Sequence, residues 1–383
     1  MKNRIYFDNA STSFPKAPGV SEAMRVFMDE IGCNVSRGSY ADAYTAAEIV
    51  FDTREKLAQL FGGLKSKNVI FTPNITASLN VLIKGLFKPG DHVLVSSMEH
   101  NSVMRPLVQM QKQGVRFSRI PCDEQGTLQL DTIESMIFHN TKAIICLHAS
   151  NVSGTLLPAA QLGGISREHG LIYILDTAQT AGVFPLDMEA MNVDALAFTG
   201  HKSLLGPQGI GGFTLTDELA AKVEPLISGG TGSISNSEEI PAFLPDRFEA
   251  GTLNLPGVFG LHKAIEYIEN AGIDFIRDKE QWLAQQLWNG LEKLIGVRMV
   301  GSRNLHERAP IVSVDFSGHD NADISFQLAD KYNILTRCGL HCAPHAHKTL
   351  GTFPQGTVRF SLNHFNTENE VDICLEAIKS IIK

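Results

Sequence analysis

The chain has 383 residues, 43% of them apolar and 19% charged, and a net charge of −8. This is a globular balance with length enough for two cores, and the lack of any clustered Lys/Arg run argues against a nucleic-acid partner. No apolar run reaches membrane-spanning length and Met1 to Asp8 form no apolar leader, so no membrane association and a cytoplasmic location are expected.

Short apolar runs alternate with amphipathic stretches through the first two thirds of the chain. Strands are predicted at 69–72, 92–96, 115–120, 143–148, 171–176, 194–199 and 210–213. Helices are predicted at 77–86, 103–112, 159–169 and in the stretch leading to Met188. Such alternation implies an α/β fold, with a mostly parallel seven-stranded sheet between helices and ligands at the carboxyl ends of its strands. Beyond residue 257 the pattern changes. Two long helices, 257–271 and 275–294, precede an α+β mixture: strands at 311–315 and 358–361, a helix at 324–331 and a closing helix from Glu368. The division expected is a large domain over 15–256 and a smaller α+β domain over 257–383, joined by residues 1–14.

The strongest local signal is Leu175-Asp176-Thr177-Ala178-Gln179 followed by Thr199-Gly200-His201-Lys202. Each chemical residue follows an apolar run. A carboxylate at a buried strand end needs a partner, and the protonated ring nitrogen of pyridoxal phosphate (PLP) is a fitting one. A lysine in an apolar pocket loses its proton more easily, and a Schiff base requires the neutral amine. A capping Asp and a surface Lys are the plainer alternative for each residue taken singly. Asn74-Ile75-Thr76, after the first strand, reads as a helix start suited to a phosphate dianion. No nucleotide-type glycine loop follows a strand, which disfavours a nucleotide as the source of that phosphate. His100 and Asn151 also lie just past strand ends. His100 can stack on a flat ring or move protons, or be structural; Asn151 can bind a phenolate or carboxylate, or shape a turn.

The six cysteines are scattered except for one pair, as in a reduced chain. That pair lies in Arg337-Cys338-Gly339-Leu340-His341-Cys342-Ala343-Pro344-His345-Ala346-His347. A thiol among His and Arg is expected to be acidified and nucleophilic. The spacing Cys-x3-Cys-x2-His-x-His matches none of the common zinc patterns, so no metal is expected. Arg359, on a predicted strand, has the fork suited to a substrate carboxylate, or forms a surface ion pair.

Together these motifs resemble the class V aminotransferase family of fold-type I PLP enzymes, and within it the cysteine desulfurase and selenocysteine lyase group. The likeness runs nearly end to end. It also includes Tyr6 to Thr12, Asn34-Val35-Ser36-Arg37-Gly38, Glu99 to Ser102 and Glu249-Ala250-Gly251-Thr252. The resemblance implies that Lys202 carries the cofactor, Asp176 pairs with the ring nitrogen, Gln179 meets the phenolic oxygen and His100 stacks on the ring. Asn74 and Ile75 belong to the implied cofactor site, and Thr76, Thr199 and His201 to its phosphate end. Thr252 is implied to reach the phosphate of a neighbouring subunit in a homodimer. Asn151 and Arg359 are implied to orient the substrate carboxylate, and Cys342 to accept sulfur, or selenium, as alanine leaves. A sulfur-acceptor protein is a further possible partner. Transamination, another PLP-dependent β-elimination, or a PLP-free scaffold role remain alternatives. Cys338 has no role in the family pattern and is either inert or a resolving thiol.

Overall fold

The computed structural model describes residues 4–35, 38–63, 65–234 and 236–383. Ser36 and Arg37, which contribute to the resemblance, lie outside the described residues.

Thirteen strands form among the described residues: β1 (Ile5–Tyr6), β2 (Val69–Thr72), β3 (His92–Ser96), β4 (Arg116–Ile120), β5 (Thr141–Leu147), β6 (Ile172–Asp176), β7 (Ala195–Thr199), β8 (Gly211–Leu215), β9 (Val297–Val300), β10 (Ile311–Phe316), β11 (Ile334–Leu335), β12 (Arg337–Gly339) and β13 (Thr357–Ser361). Seven of them make one sheet in the order β2-β8-β7-β6-β5-β3-β4. β8 is antiparallel to both neighbours, and every other pairing in the sheet is parallel. Ile144, Ile145, Cys146, Tyr173, Ile174 and Leu175 are fully buried, as a sheet covered on both faces requires. The helices Ile75–Leu86 and Asn101–Gln111 pack against one another, with their apolar residues in one core layer of this sheet.

A second sheet, β12-β13-β10-β9, is antiparallel, and the helices Ile273–Leu291, Asn321–Tyr332 and Glu368–Ile381 share its core. The closing helix starts in a capping box between Thr367 and Glu370. Near the amino terminus, β1 pairs with β11, and Asp8 bridges to Ser361 at the end of β13. The first residues of the chain therefore pack with its last third. Residue 257 falls inside the helix Leu255–Ala271, which packs on the helices Val20–Val26 and Ala41–Leu60.

Two expectations fail locally. The stretch leading to Met188 is a series of turns, interrupted by Gly182 at φ +90° and by Pro185. The helix Ala41–Leu60 was not predicted; its exposed Tyr44 and Phe51 place apolar residues on both sides of the helix and blur the periodicity.

Arg54, on that helix, is clamped by Glu249, with Nη1 and Nη2 donating to its carboxylate at 2.9 and 2.7 Å. The same carboxylate accepts from the Phe71 amide at 2.6 Å, fixing the 249–252 segment beside β2. Both side chains are buried. Arg54→Ala strands a buried carboxylate and should cost about 3–5 kcal/mol in urea denaturation, whereas the double replacement by Met and Leu should recover most of that loss.

Candidate active site

β2, β3, β5, β6 and β7 run in one direction and end at one edge of the sheet. The residues after each strand end line a cavity of about 480 Å³: Asn74, Ile75 and Thr76 after β2; His100 and Ser102 after β3; Asn151 after β5; Asp176, Ala178 and Gln179 at β6; Thr199, His201 and Lys202 at β7. The volume suits a cofactor-sized ligand. A larger cleft of about 860 Å³ lies elsewhere, and its buried charges, Arg54 and Glu249, neutralise one another. The chemistry is in the smaller cavity.

Burial pulls the Lys202 amine down to about 8, against the opposing pull of Asp176. About a tenth of it is a free amine at pH 7. Burial raises the Asp176 carboxyl, while the Ala178 amide, donating at 2.9 Å, and the charge of Lys202 act the other way. His100 caps the helix Asn101–Gln111, its Nδ1 accepting the Ser102 amide at 3.0 Å. Desolvation lowers this imidazole to about 3, so it is neutral with its proton on Nε2. Gln179 is buried and donates Nε2 to the Ala10 carbonyl at 3.2 Å.

At the other end of the cavity, Asn74 caps the helix Ile75–Leu86 by accepting the Ala77 amide. The amides in the first turn of a helix have no intrahelical acceptor. Thr199 Oγ1 and His201 Nδ1 are buried without a hydrogen-bond partner among the described residues. His201 is itself pinned by its carbonyl, which accepts from Ser13 N at 2.8 Å and Lys16 Nζ at 2.9 Å. Unspent polar atoms facing a helix start make an anion cup. With a neutral-capable lysine, a buried carboxyl and a neutral imidazole farther in, the donor set fits pyridoxal phosphate. Ser102, which lines the cavity and whose hydroxyl meets His100 Nδ1 at 2.9 Å, is a residue sequence reasoning missed; its place in the first turn of a helix capped by His100 is the signal that could have found it.

Three expected residues lie outside the cavity wall. Arg359, on β13, is buried and donates Nη1 to the Asn151 carbonyl at 2.9 Å. Asn151 donates Nδ2 to the His341 carbonyl at 2.7 Å and keeps Oδ1 unpartnered among the described residues. Cys342 is exposed on a turn in which both His341 (φ 45°) and Cys342 (φ 58°) adopt left-handed backbone, at a cost on the order of 1 kcal/mol each. The turn is fastened by the Asn101 amide, which donates to the Cys342 carbonyl at 2.8 Å beside His100. Cys342 also contributes to the electrostatics of Lys202. Thr252 is exposed beside the larger cleft.

The histidines around Cys342 are structural and uncharged. Burial drives His341 to about 2 and His347 to about 4, and it lowers His345. His341 faces Thr357, His347 faces Thr352, and His345 faces the Ser97 carbonyl. Arg359 and Arg337 act as positive charges on His341. Cys338 packs against the core of the second sheet, and burial raises its thiol. No group of three or more His, Cys, Asp or Glu among the described residues is arranged to hold a metal, and no described helix is long and apolar enough to cross a membrane.

Comparison with known proteins matches residues 5–374 to the model of the aminotransferase class-V family. A probable cysteine desulfurase of Pyrococcus abyssi is 34% identical over 99% of this chain and 94% of its own length. Its counterpart in Methanothermobacter thermautotrophicus is 31% identical over 100% and 95%. The apo cysteine desulfurase of Thermococcus onnurineus superposes with a TM-score of 0.93 at 34% identity, covering 99% of this chain and 94% of that one. The cysteine desulfurase CsdA of Escherichia coli gives 0.89 at 29% identity, covering 98% and 94%.

His148, at the end of β5, gives a pH prediction. Burial depresses it from 6.5 to about 4, so the unfolded state takes up a proton that the folded state refuses. Its contribution to stability is complete above pH 6.5 and is lost as pH falls toward 4. At pH 5 this loss amounts to about 2 kcal/mol. His148→Gln should reduce the loss of unfolding free energy between pH 7 and pH 5 by that amount, measured by urea denaturation at both pH values.

Proposed function

We propose that this chain, which belongs to the class V aminotransferase family, is a PLP-dependent cysteine desulfurase that takes sulfur from L-cysteine, releases L-alanine and first holds the sulfur on Cys342. One observation carries the reading: Lys202 shares a cavity with Asp176 and His100, while the exposed Cys342 sits on a turn tied to Asn101, the residue next to His100. Transamination has no use for that thiol.

When bound, PLP supplies an electron sink for the carbon that loses its proton. The chain's own residues supply the rest. Thr76, Thr199 and His201, with the first turn of the helix at Ile75, would hold the phosphate. Asp176 would keep the ring nitrogen protonated, Gln179 would meet the phenolic oxygen, and His100, with a proton available at Nε2, would pack against the ring. Arg359 and Asn151 hold the α-carboxylate of the amino acid. Lys202 Nζ takes the α-proton. The Cys342 thiolate attacks the substrate sulfur. The Sγ–S bond forms, the substrate Cβ–S bond breaks with its electron pair remaining on carbon, protonation of that carbon gives the methyl group, and return of a proton from Lys202 Nζ to the α-carbon completes alanine. The persulfide on Cys342 is exposed, and a sulfur-acceptor protein collects it.

The working unit under this reading is a homodimer. Thr252 does not line the cavity of its own chain, and its place on the exposed rim of the larger cleft suits a contact to the phosphate of a second copy.

Incubation with L-cysteine, and separately with L-selenocysteine, followed by alanine assay tests the activity. Alanine should form from L-cysteine, and Cys342→Ser should reduce its formation at least about a hundredfold with the PLP absorbance retained. No alanine from either amino acid sinks the proposal. For the dimer, Lys202→Ala and Thr252→Ala chains should each be impaired alone. After mixing and subunit exchange they should regain activity, because one of the two sites then carries both intact residues. Activity that never rises above the sum of the separate variants removes the shared site.

A further inference from the structure

The guanidinium of Arg359 is already engaged. Its Nη2 donates to Asp8 Oδ1 at 2.9 Å and to Ser11 Oγ at 2.8 Å. Those two bonds use both Nη2 hydrogens. Nη1 has one hydrogen on the Asn151 carbonyl, and Nε has no partner among the described residues. A guanidinium can meet a carboxylate through two side-by-side forks, Nη1 with Nη2 or Nε with Nη2. Both forks run through Nη2. No incoming carboxylate can be bound bidentately while Asp8 and Ser11 remain where they are.

The surroundings permit an exchange. Asp8 is a carboxylate, the same acceptor as the one expected from the substrate, and its side chain is 21% exposed while that of Arg359 is 3% exposed. Ser11 donates to Asp8 Oδ1 at 2.6 Å and accepts from Arg337 Nη1 at 2.8 Å. The cluster thus holds two guanidinium groups and one carboxylate, so one positive charge is left for a second anion. The Asp8 backbone is held by its bridge to Ser361 and by the Ser11 amide, which donates to its carbonyl at 3.0 Å, so the partly exposed side chain can swing without moving β1.

We propose that Asp8 is the resident occupant of the substrate-carboxylate position, and that the α-carboxylate of the incoming amino acid displaces it from Arg359 Nη2. No covalent bond changes. Asp8 exchanges one charge-assisted hydrogen bond for water or for the free donors of Arg337. Asp8 then acts as a specificity-determining residue: it closes the arginine to weak or neutral ligands and yields to a carboxylate that can fill a whole fork. This inference rests on the assignment of Arg359 as the carboxylate receptor.

The test is calorimetric titration of the holoenzyme with L-alanine, which has the same α-carboxylate as L-cysteine, and with L-alaninamide, which lacks it. In Asp8→Asn the amide keeps the shape but gives up the charge. The Kd for L-alanine should fall at least about fivefold, and that for L-alaninamide should change less than about twofold. Ser11→Ala, which frees the other Nη2 hydrogen, should also tighten L-alanine and serves if Asp8→Asn does not fold. A purely structural Asp8 predicts weaker binding of both ligands, and that result, or an unchanged Kd for L-alanine, overturns the exchange. Arg359→Ala separates the two failures. If it leaves L-alanine binding intact, the receptor assignment is wrong and the exchange goes with it. If it abolishes binding while Asp8→Asn fails to tighten it, the exchange alone is wrong.

Discussion

The site depends on keeping a lysine and a carboxyl out of water within one cavity. Burial pulls Lys202 toward its neutral form and raises Asp176 toward its protonated form. Each opposes the shift of the other, so neither burial is tolerable unless something between them takes up the charge. A ring with a protonated nitrogen at one end and a carbonyl carbon at the other meets both needs. The parallel strands create the condition: they end at one edge, and the segment after each strand delivers one or more groups to the same space.

The proposed substrate end is built differently. Arg359 comes from the second sheet, Asn151 from the end of β5, and Asp8 and Ser11 from the first residues of the chain. The pairing of β1 with β11 and the bridge from Asp8 to Ser361 hold the amino terminus in place for this. Cys342 is presented on a left-handed turn tied to the start of the helix that His100 caps. The thiol is therefore positioned by backbone, whereas the cofactor cavity is shaped by buried side chains.

Much of this was legible in the sequence because it is local. Short Ile-, Val- and Leu-rich runs gave the seven strands of the main sheet, each within a few residues of its observed ends. Asp176 stood out because a carboxylate directly after an apolar run is costly, and Lys202 because it follows the next apolar run within four residues. What escaped is what depends on distance along the chain. The contacts of Asp8 and Ser11 with Arg359 span some three hundred and fifty residues, and no periodicity announces them. The histidines beside Cys342 read as a source of positive charge, yet burial keeps them neutral, and burial cannot be read from spacing. The stretch before Met188 had apolar residues at helical spacing, but Gly182 and Pro185 turned it into loops.

Two lysines in the neighbourhood have lowered amines. Burial brings Lys16, like Lys202, to about 8. Lys16 spends its three donors on Thr12, Ser13 and the His201 carbonyl and does not line the cavity. The direct measurement is borohydride reduction of the PLP-loaded protein followed by peptide mass spectrometry. One pyridoxyl group per chain is expected, on Lys202. A modification centred on Lys16 or another lysine, or none after loading with PLP, would contradict it.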